Sequence, residues 1–262
     1  MKGFVFDVEF MWGFQARVIG MSKTSPSFSF PPPTTVLGAI AEAHARRKGL
    51  GEGRTSTLNE LAKGTLALSY KPLNMITLQF QDINKIVSVR VAGGVRYPSV
   101  KDPYGSFDAP ARGKTIASSL DEKPPRMRVF AVFKNEVDVT PDDIWRIKRL
   151  GSKESMVSVI EVVEGIPNII SEGLVETDYS LPLTRELEEN IVVKEGDFVE
   201  LELVPIINLV SGDPPAKLYL SSKVVRHLIP VPLTRRGRVV IKLPPGYVGY
   251  KIGNEVVIGF GK

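Results

Sequence analysis

Between Arg90 and Lys114 the chain places Arg90, Arg96, Lys101, Arg112 and Lys114 among Tyr97, Tyr104 and Phe107, with only Asp102 and Asp108 to oppose them. Guanidinium and ammonium groups follow phosphates, aromatic faces stack on unpaired bases, and Gly93, Gly94, Gly105 and Gly113 let a backbone approach closely. The combination suits the gripping of a single nucleic-acid strand. Without a ligand it is a basic loop whose aromatics tuck back onto the core.

Other cations extend this chemistry. Lys23, beside Ser22 and Thr24, precedes a helix start, where free amides attract anions; an ordinary polar loop explains it equally well. Ser152, Lys153 and Ser155, with Gly151, lie between a helix end and a strand and offer amides and an ammonium to a phosphate, or form a plain C-cap and solvent loop. Arg126 and Arg128 flank one strand and Arg17 lies on another, where they reach an RNA backbone or are simply solvated. Trp12, beside Phe10 and Phe14, suits a base stack, a core or an interface. Arg235, Arg236 and Arg238 form the densest basic cluster of the C-terminal part, with RNA, acidic residues or water as partner.

Catalytic chemistry is sparsely provided. The chain has no cysteine, which excludes disulfides, thiolate metal sites and cysteine nucleophiles. Two histidines remain: His44 at the edge of an apolar helix stripe beside Arg46-Arg47, and His227 on a strand beside Arg226. Each reads as a structural histidine more readily than as a general base. Asp142-Asp143 is explained by helix capping and Glu188-Glu189 by an acidic run. No phosphate-binding P-loop or zinc spacing is present, so neither metal nor cofactor is expected.

With 262 residues, 43% of them hydrophobic, the chain can bury one fair-sized core or a principal domain with a smaller one attached. No apolar run approaches the roughly 18 residues needed to span a bilayer, and Asp7 and Glu9 interrupt the N-terminal segment. A cytoplasmic protein without membrane contact is the expectation. The net charge of +5 conceals a strong asymmetry. Residues 1–159 carry 23 Lys and Arg against 15 Asp and Glu, residues 160–202 two against twelve, and residues 203–262 nine against two. The basic surfaces suit phosphate, and the acidic one suits a basic protein or water.

These residues need elements to hold them. Alternation of Phe4, Phe6, Val8 and Phe10 with Val5, Asp7, Glu9 and Met11 predicts a half-buried strand. Thr34 or Thr35 after Pro31-Pro32-Pro33 is a cap for a helix through Val36, Leu37, Ile40 and His44, stopped at Gly49. A strand at 65–70 follows, then an insertion from about 72 to 127, too long for an ordinary connection. A strand at 128–133 leads to a helix opened by Thr140-Pro141-Asp142-Asp143 and carried through Ile144, Ile147 and Leu150 to Lys148-Arg149. A strand at 156–163 completes the order strand, helix, strand, insertion, strand, helix, strand, which is that of a ferredoxin-like α+β domain. Beyond residue 164 the chain reads as β-rich, with strands at 199–204, 217–225 and 238–243 and a hairpin over 247–260 turning at Gly253-Asn254.

Two stretches carry more than periodicity: Phe28-Ser29-Phe30-Pro31-Pro32-Pro33-Thr34-Thr35-Val36-Leu37-Gly38-Ala39-Ile40, and Arg149-Leu150-Gly151-Ser152-Lys153-Glu154-Ser155-Met156-Val157-Ser158-Val159. With the Phe-rich opening strand they resemble the fifth Cas family, a RAMP subunit of type I Cascade complexes, and most of all its archaeal type I-A branch. The resemblance covers residues 1–163; the β-rich remainder fits by length and class. It implies a ferredoxin-like (RRM/RAMP) palm with a thumb-like insertion after the second strand, followed by a small β-rich C-terminal region at 164–262. It further implies a non-catalytic subunit that caps the five-prime handle of crRNA and packs against the Cascade backbone and large subunits. Target DNA is then found through the assembled complex, by guide pairing. One branch of the family cleaves repeat RNA without metal, using a tyrosine, a lysine and a histidine. That pattern does not transfer residue by residue, because no Lys-His pair follows the glycines of the insertion. A metal-independent endoribonuclease and a mainly protein-binding scaffold are the alternative readings.

Overall fold

The computed structural model describes residues 1–18, 26–50, 55–83, 86–87, 90–92, 94–97, 107–108, 111–207 and 223–261. In chain order the elements are β1 (Lys2–Phe10), β2 (Gly13–Phe14), α1 (Pro33–Arg47), α2 (Thr55–Gly64), β3 (Thr65–Pro72), β4 (Met75–Ile83), β5 (Ile86–Val87), β6 (Arg90–Ala92), β7 (Val95–Tyr97), β8 (Phe107–Asp108), β9 (Ala111–Ser119) and β10 (Arg126–Phe133). They continue with α3 (Pro141–Trp145), β11 (Val157–Gly165), β12 (Asn168–Ile170), β13 (Leu174–Thr177), β14 (Leu181–Leu183), α4 (Arg185–Glu188), β15 (Ile191–Glu195), β16 (Asp197–Pro205), β17 (Val224–Val231), β18 (Arg238–Lys242), β19 (Tyr247–Ile252) and β20 (Glu255–Phe260). The protein is α+β, with few helices and antiparallel strand ladders.

Its centre is a four-stranded antiparallel sheet in the order β11-β1-β10-β3. Alternation along β1 sends Phe4, Phe6, Val8 and Phe10 to one face, where they meet Val36, Leu37 and Ile40 of α1 and Leu61 of α2. Val5 points to the other face and packs with Phe130, Tyr179, Tyr250 and Val257. β1 is therefore covered on both sides rather than half-buried as its pattern predicts: even Asp7 is only 4% exposed. The C-terminal strands β19 and β20 provide the second cover, while Leu201, Val204, Ile229 and Val231 of β16 and β17 join the helix-side core.

Both sequence-predicted helices form, with different ends. α1 begins at Pro33 with Pro32 at the N-cap, two or three residues before the expected threonine cap. Proline already holds φ near the helical value, and the Pro32 carbonyl accepts from the Thr35 amide at 2.8 Å, so no side-chain cap is used. Gly49, at φ +66°, closes the helix as expected. α3 opens at Thr140, whose amide donates to the Asp143 carboxylate at 3.0 Å, but it stops at Trp145. Ile147 and Leu150 still reach the core, from an irregular segment that doubles back as Leu150 N–H donates to Ser155 O and Val157 N–H to Lys148 O, both at 3.0 Å. That backbone pairing takes the chain out of the helix before Lys148 and Arg149. The expected hairpin forms as β19 and β20, with Gly253 at φ +58° in its turn. Of the strand expected at 217–225, residues 217–222 lie outside the described residues; β17 begins at Val224.

Candidate nucleic-acid interface

The insertion after β3 is a β ribbon. β4 and β9 pair from Met75↔Ser119 to Ile83↔Ala111, a length of about 30 Å at the usual rise per residue. Further along, β5 pairs with β8 and β6 with β7. The inner face rests on the segment before α1: Thr115 donates its hydroxyl to the Phe28 carbonyl at 2.6 Å, and Gln79 donates its amide to the Ser27 carbonyl. Gly113 is pressed against the same segment, where a Cβ would lie 2.3 Å from the Ser27 nitrogen. The opposite face carries Leu78 and its partner Ile116, then Phe80 and its partner Lys114. Leu78, Ile116 and Phe80 are 65%, 39% and 38% exposed. Apolar and aromatic side chains thus face solvent beside a cation, and the register fixes which face shows them.

Two contacts orient the ribbon at its root. Asn74 donates to Ser119 Oγ at 3.0 Å, to Asp121 Oδ1 at 2.6 Å and to the Pro124 carbonyl at 3.1 Å, while its own oxygen accepts from Arg126 N–H at 2.8 Å. Hydrogen bonds from Asn74, Lys123 N–H and Ser119 hold the Asp121 carboxyl below its usual range. From the C-terminal region, Arg236 donates to the carbonyls of Pro72 and Leu73 at 2.7 and 2.8 Å.

A loop at 149–156 flanks the same sheet. β2 joins the ribbon through Gly13↔Ile116; Gly13 has φ +152°, and a Cβ there would lie 2.0 Å from the Thr115 carbonyl oxygen. Just beyond, Gln15 O accepts from Ser152 N–H at 3.1 Å, Gln15 N–H donates to Ser155 Oγ at 3.0 Å, and the Gln15 side chain donates to Gly113 O at 3.1 Å. Trp12 donates its indole N–H to Glu154 O at 2.6 Å, and Lys114 approaches the Glu154 carboxylate at 3.6 Å. The fold therefore brings Lys114 to the same edge of the ribbon as Ser152 and Lys153, which lie 38 and 39 positions further along the chain, with Trp12 and Gln15 between. The amides of Ser152, Ser155 and Met156 are all used within the protein, and the Lys153 side chain is exposed.

The remaining candidates are distributed as follows. Arg90 and Tyr97 are paired positions of β6 and β7, Arg96 lies opposite Val91, Phe107 is in β8 and Arg112 in β9. Lys23, Lys101 and Tyr104 lie outside the described residues. Arg126 is 3.9 Å from Glu9. Arg128 is gripped by Asp7 at 2.6 and 2.8 Å and by Glu255 at 2.8 Å, which raises its already high pKa against the cost of burial. Its donors tie the central sheet to the β19–β20 hairpin. The cluster at 235–238 likewise has internal partners: Arg238 meets Glu195 and Glu176, and Arg235 meets Glu195.

Both histidines are placed away from the ribbon face. His44 Nδ1 is 3.0 Å from the buried Asp143, which Arg47 also engages at 2.5 Å. His227 is 5% exposed, has no hydrogen-bond partner at either ring nitrogen, and is pushed by burial to a pKa of about 3. Among the described residues no group of histidine and carboxylate side chains could hold a metal, and no helix is long and apolar enough to cross a membrane.

Sequence reasoning missed Leu78, Phe80 and Ile116. Their alternation with Thr77, Gln79 and Thr115 was the available signal, but alternation alone does not tell which face is covered.

An α+β body of antiparallel sheets, with a long ribbon inserted between two central strands, is the class of protein these features define. Across its whole length, and the whole of the other chain, the protein is 37% identical to a solved structure described as a CRISPR protein from Archaeoglobus fulgidus, with a TM-score of 0.70. The chain belongs to the family of that CRISPR protein. No family model and no curated protein matches it.

Proposed function

We propose that the chain is a non-catalytic RNA-binding subunit of a type I CRISPR surveillance complex, of the RAMP type of the fifth Cas family. It caps the five-prime handle of crRNA and contacts the backbone and large subunits, and it meets target DNA only through the complex. The observation that carries this reading is the outer face of the ribbon, where Leu78, Phe80 and Ile116 stand in solvent next to Lys114. The Phe80 ring can stack on a base, Leu78 and Ile116 give apolar contact on either side of it, and Lys114 can follow a phosphate, which is the combination that sequence-tolerant gripping of a single strand uses.

The central strand order supports the same reading. β1, β3, β10 and β11 are laid out as fourth, first, third and second, with α1 after the first strand and α3 after the third, an order consistent with the split βαβ arrangement of a ferredoxin-like palm. The ribbon leaves this palm after its second strand, where a thumb is inserted in RAMP subunits. His44 engaged by Asp143 and His227 sealed from solvent favour binding over ribonuclease chemistry.

The test is incubation of the full chain with labelled repeat RNA in chelator. The expected result is binding without cleavage, tighter for handle RNA than for DNA of equal length. For about four to six phosphate contacts, log affinity falls against log salt with a slope near −3 to −4. Cleavage of the repeat would replace this reading with the endoribonuclease, and salt-independent association would remove RNA as the ligand.

A further inference from the structure

The acidic part of the chain coincides with an open sheet edge. β11 lies at the end of the central sheet, and among the described residues its sheet neighbour is β1 alone. An edge strand presents unpaired N–H and C=O groups to whatever extended chain can lie beside it. Along this edge and its continuation, Ile160, Val163, Ile166 and Ile169 are 40%, 43%, 83% and 49% exposed. Glu161 and Glu164 stand between them, and from Glu154 to Thr184 the sequence has six acidic residues and no lysine or arginine. Of these, Glu161 shares Arg128 at 3.4 Å, while Glu164 is exposed beside the apolar residues.

We infer that β11 is a docking edge for an extended, basic and apolar segment of a partner protein, added to the central sheet as a further strand. Backbone hydrogen bonds give such pairing its affinity, and alternate side chains give it specificity. Here exposed apolar side chains and carboxylates lie together along the strand, at Ile160, Glu161, Val163 and Glu164, so the complementary strand carries both branched apolar residues and lysine or arginine. The negative charge selects against nucleic acid, which the same carboxylates repel. It also selects against a second copy of this chain, whose identical edge would bring glutamates together. The molecule thus has two surfaces of opposite character, a cationic ribbon and an acidic edge, and the edge stands independently of what the ribbon binds.

The probe is a synthetic eight-residue peptide of valine and lysine with both residue types on each face of the strand, added to the full chain, with amide hydrogen exchange as the readout. The expected result is slowed exchange confined to residues 158–165, no change along the ribbon, and at least tenfold weaker binding of the valine–glutamate counterpart. A Glu164→Lys, Ile166→Lys double variant keeps the fold, because both side chains are exposed, and loses at least tenfold in affinity for the basic peptide. Unchanged exchange in β11 at saturating peptide, or equal binding of the two peptides, overturns the inference. So does concentration-dependent dimerisation through β11 in sedimentation, which would make a second copy the occupant.

Discussion

Asp143 is fully buried and still favours its charged form. Burial alone would raise its pKa; the hydrogen bonds from Arg47 and His44, and the backbone N–H of Thr140, outweigh burial and lower it. A carboxylate whose folded pKa is depressed contributes stability above its ordinary range, and that contribution is lost as pH falls through the folded value. Asp143→Ala leaves Arg47 short of its main partner and uncaps α3, and a loss of about 3 to 5 kcal/mol is expected in urea unfolding at pH 7. His227 works in the opposite sense. An unfolded chain takes up its proton below about 6.5, whereas the folded chain resists until about 3, so stability declines as pH falls through that window. Between pH 6.5 and 4.5 this one side chain accounts for about 2 to 3 kcal/mol of the decline. His227→Leu should flatten the pH profile by that amount, measured as urea midpoints at the two pH values; an unchanged slope would show that the ring is hydrated in the folded state.

At the scale of elements, the ribbon separates two kinds of contact. Replacing Arg90, Arg96, Arg112 and Lys114 by alanine removes four cations without touching either main helix or β1. Thermal unfolding should move little, while the salt dependence of RNA affinity should flatten by almost 3 units if all four meet phosphates. An unchanged slope would assign these cations elsewhere. How much of this was legible in the sequence follows from what each signal reports. Gly253-Asn254 and Thr140-Pro141-Asp142-Asp143 are local devices, and both appear where the residue types place them. The end of α3 is not local: its apolar spacing at Ile144, Ile147 and Leu150 continues to bury side chains after the helix has given way to pairing with Ser155 and Val157. The outer ribbon face was hidden for a similar reason, since the alternation of Leu78 and Ile116 with polar neighbours does not tell which side of the ribbon is covered. Arg128 was read as a surface cation because nothing near it in sequence announces Asp7 or Glu255.

The whole molecule is held together by charges that span the chain. Lys71 from the central sheet meets Asp178 at 2.9 Å and Glu255 at 2.6 Å, and Arg128 reaches the same Glu255. Burial acts to raise the Glu255 pKa, but Lys71 and Arg128 together draw it below its usual range. Glu255→Ala leaves two largely enclosed cations short of a carboxylate, so a loss of about 2 to 3 kcal/mol is expected, with earlier proteolysis of the β19–β20 hairpin than of β1. Simultaneous cleavage of both would mean that sheet and hairpin unfold as one unit.

The proposal that the solvent face of the ribbon grips guide RNA is put to the test by a triple variant. Leu78→Ser, Phe80→Ser and Ile116→Ser exchange exposed apolar groups for small polar ones without altering charge. Handle-RNA affinity, measured by titration of labelled RNA at fixed salt, should fall about 5- to 150-fold from the loss of the Phe80 stack, with Leu78 and Ile116 adding apolar contact, at an unchanged salt slope and melting temperature. Wild-type affinity in a folded variant would contradict the account and leave the ribbon as a surface for protein.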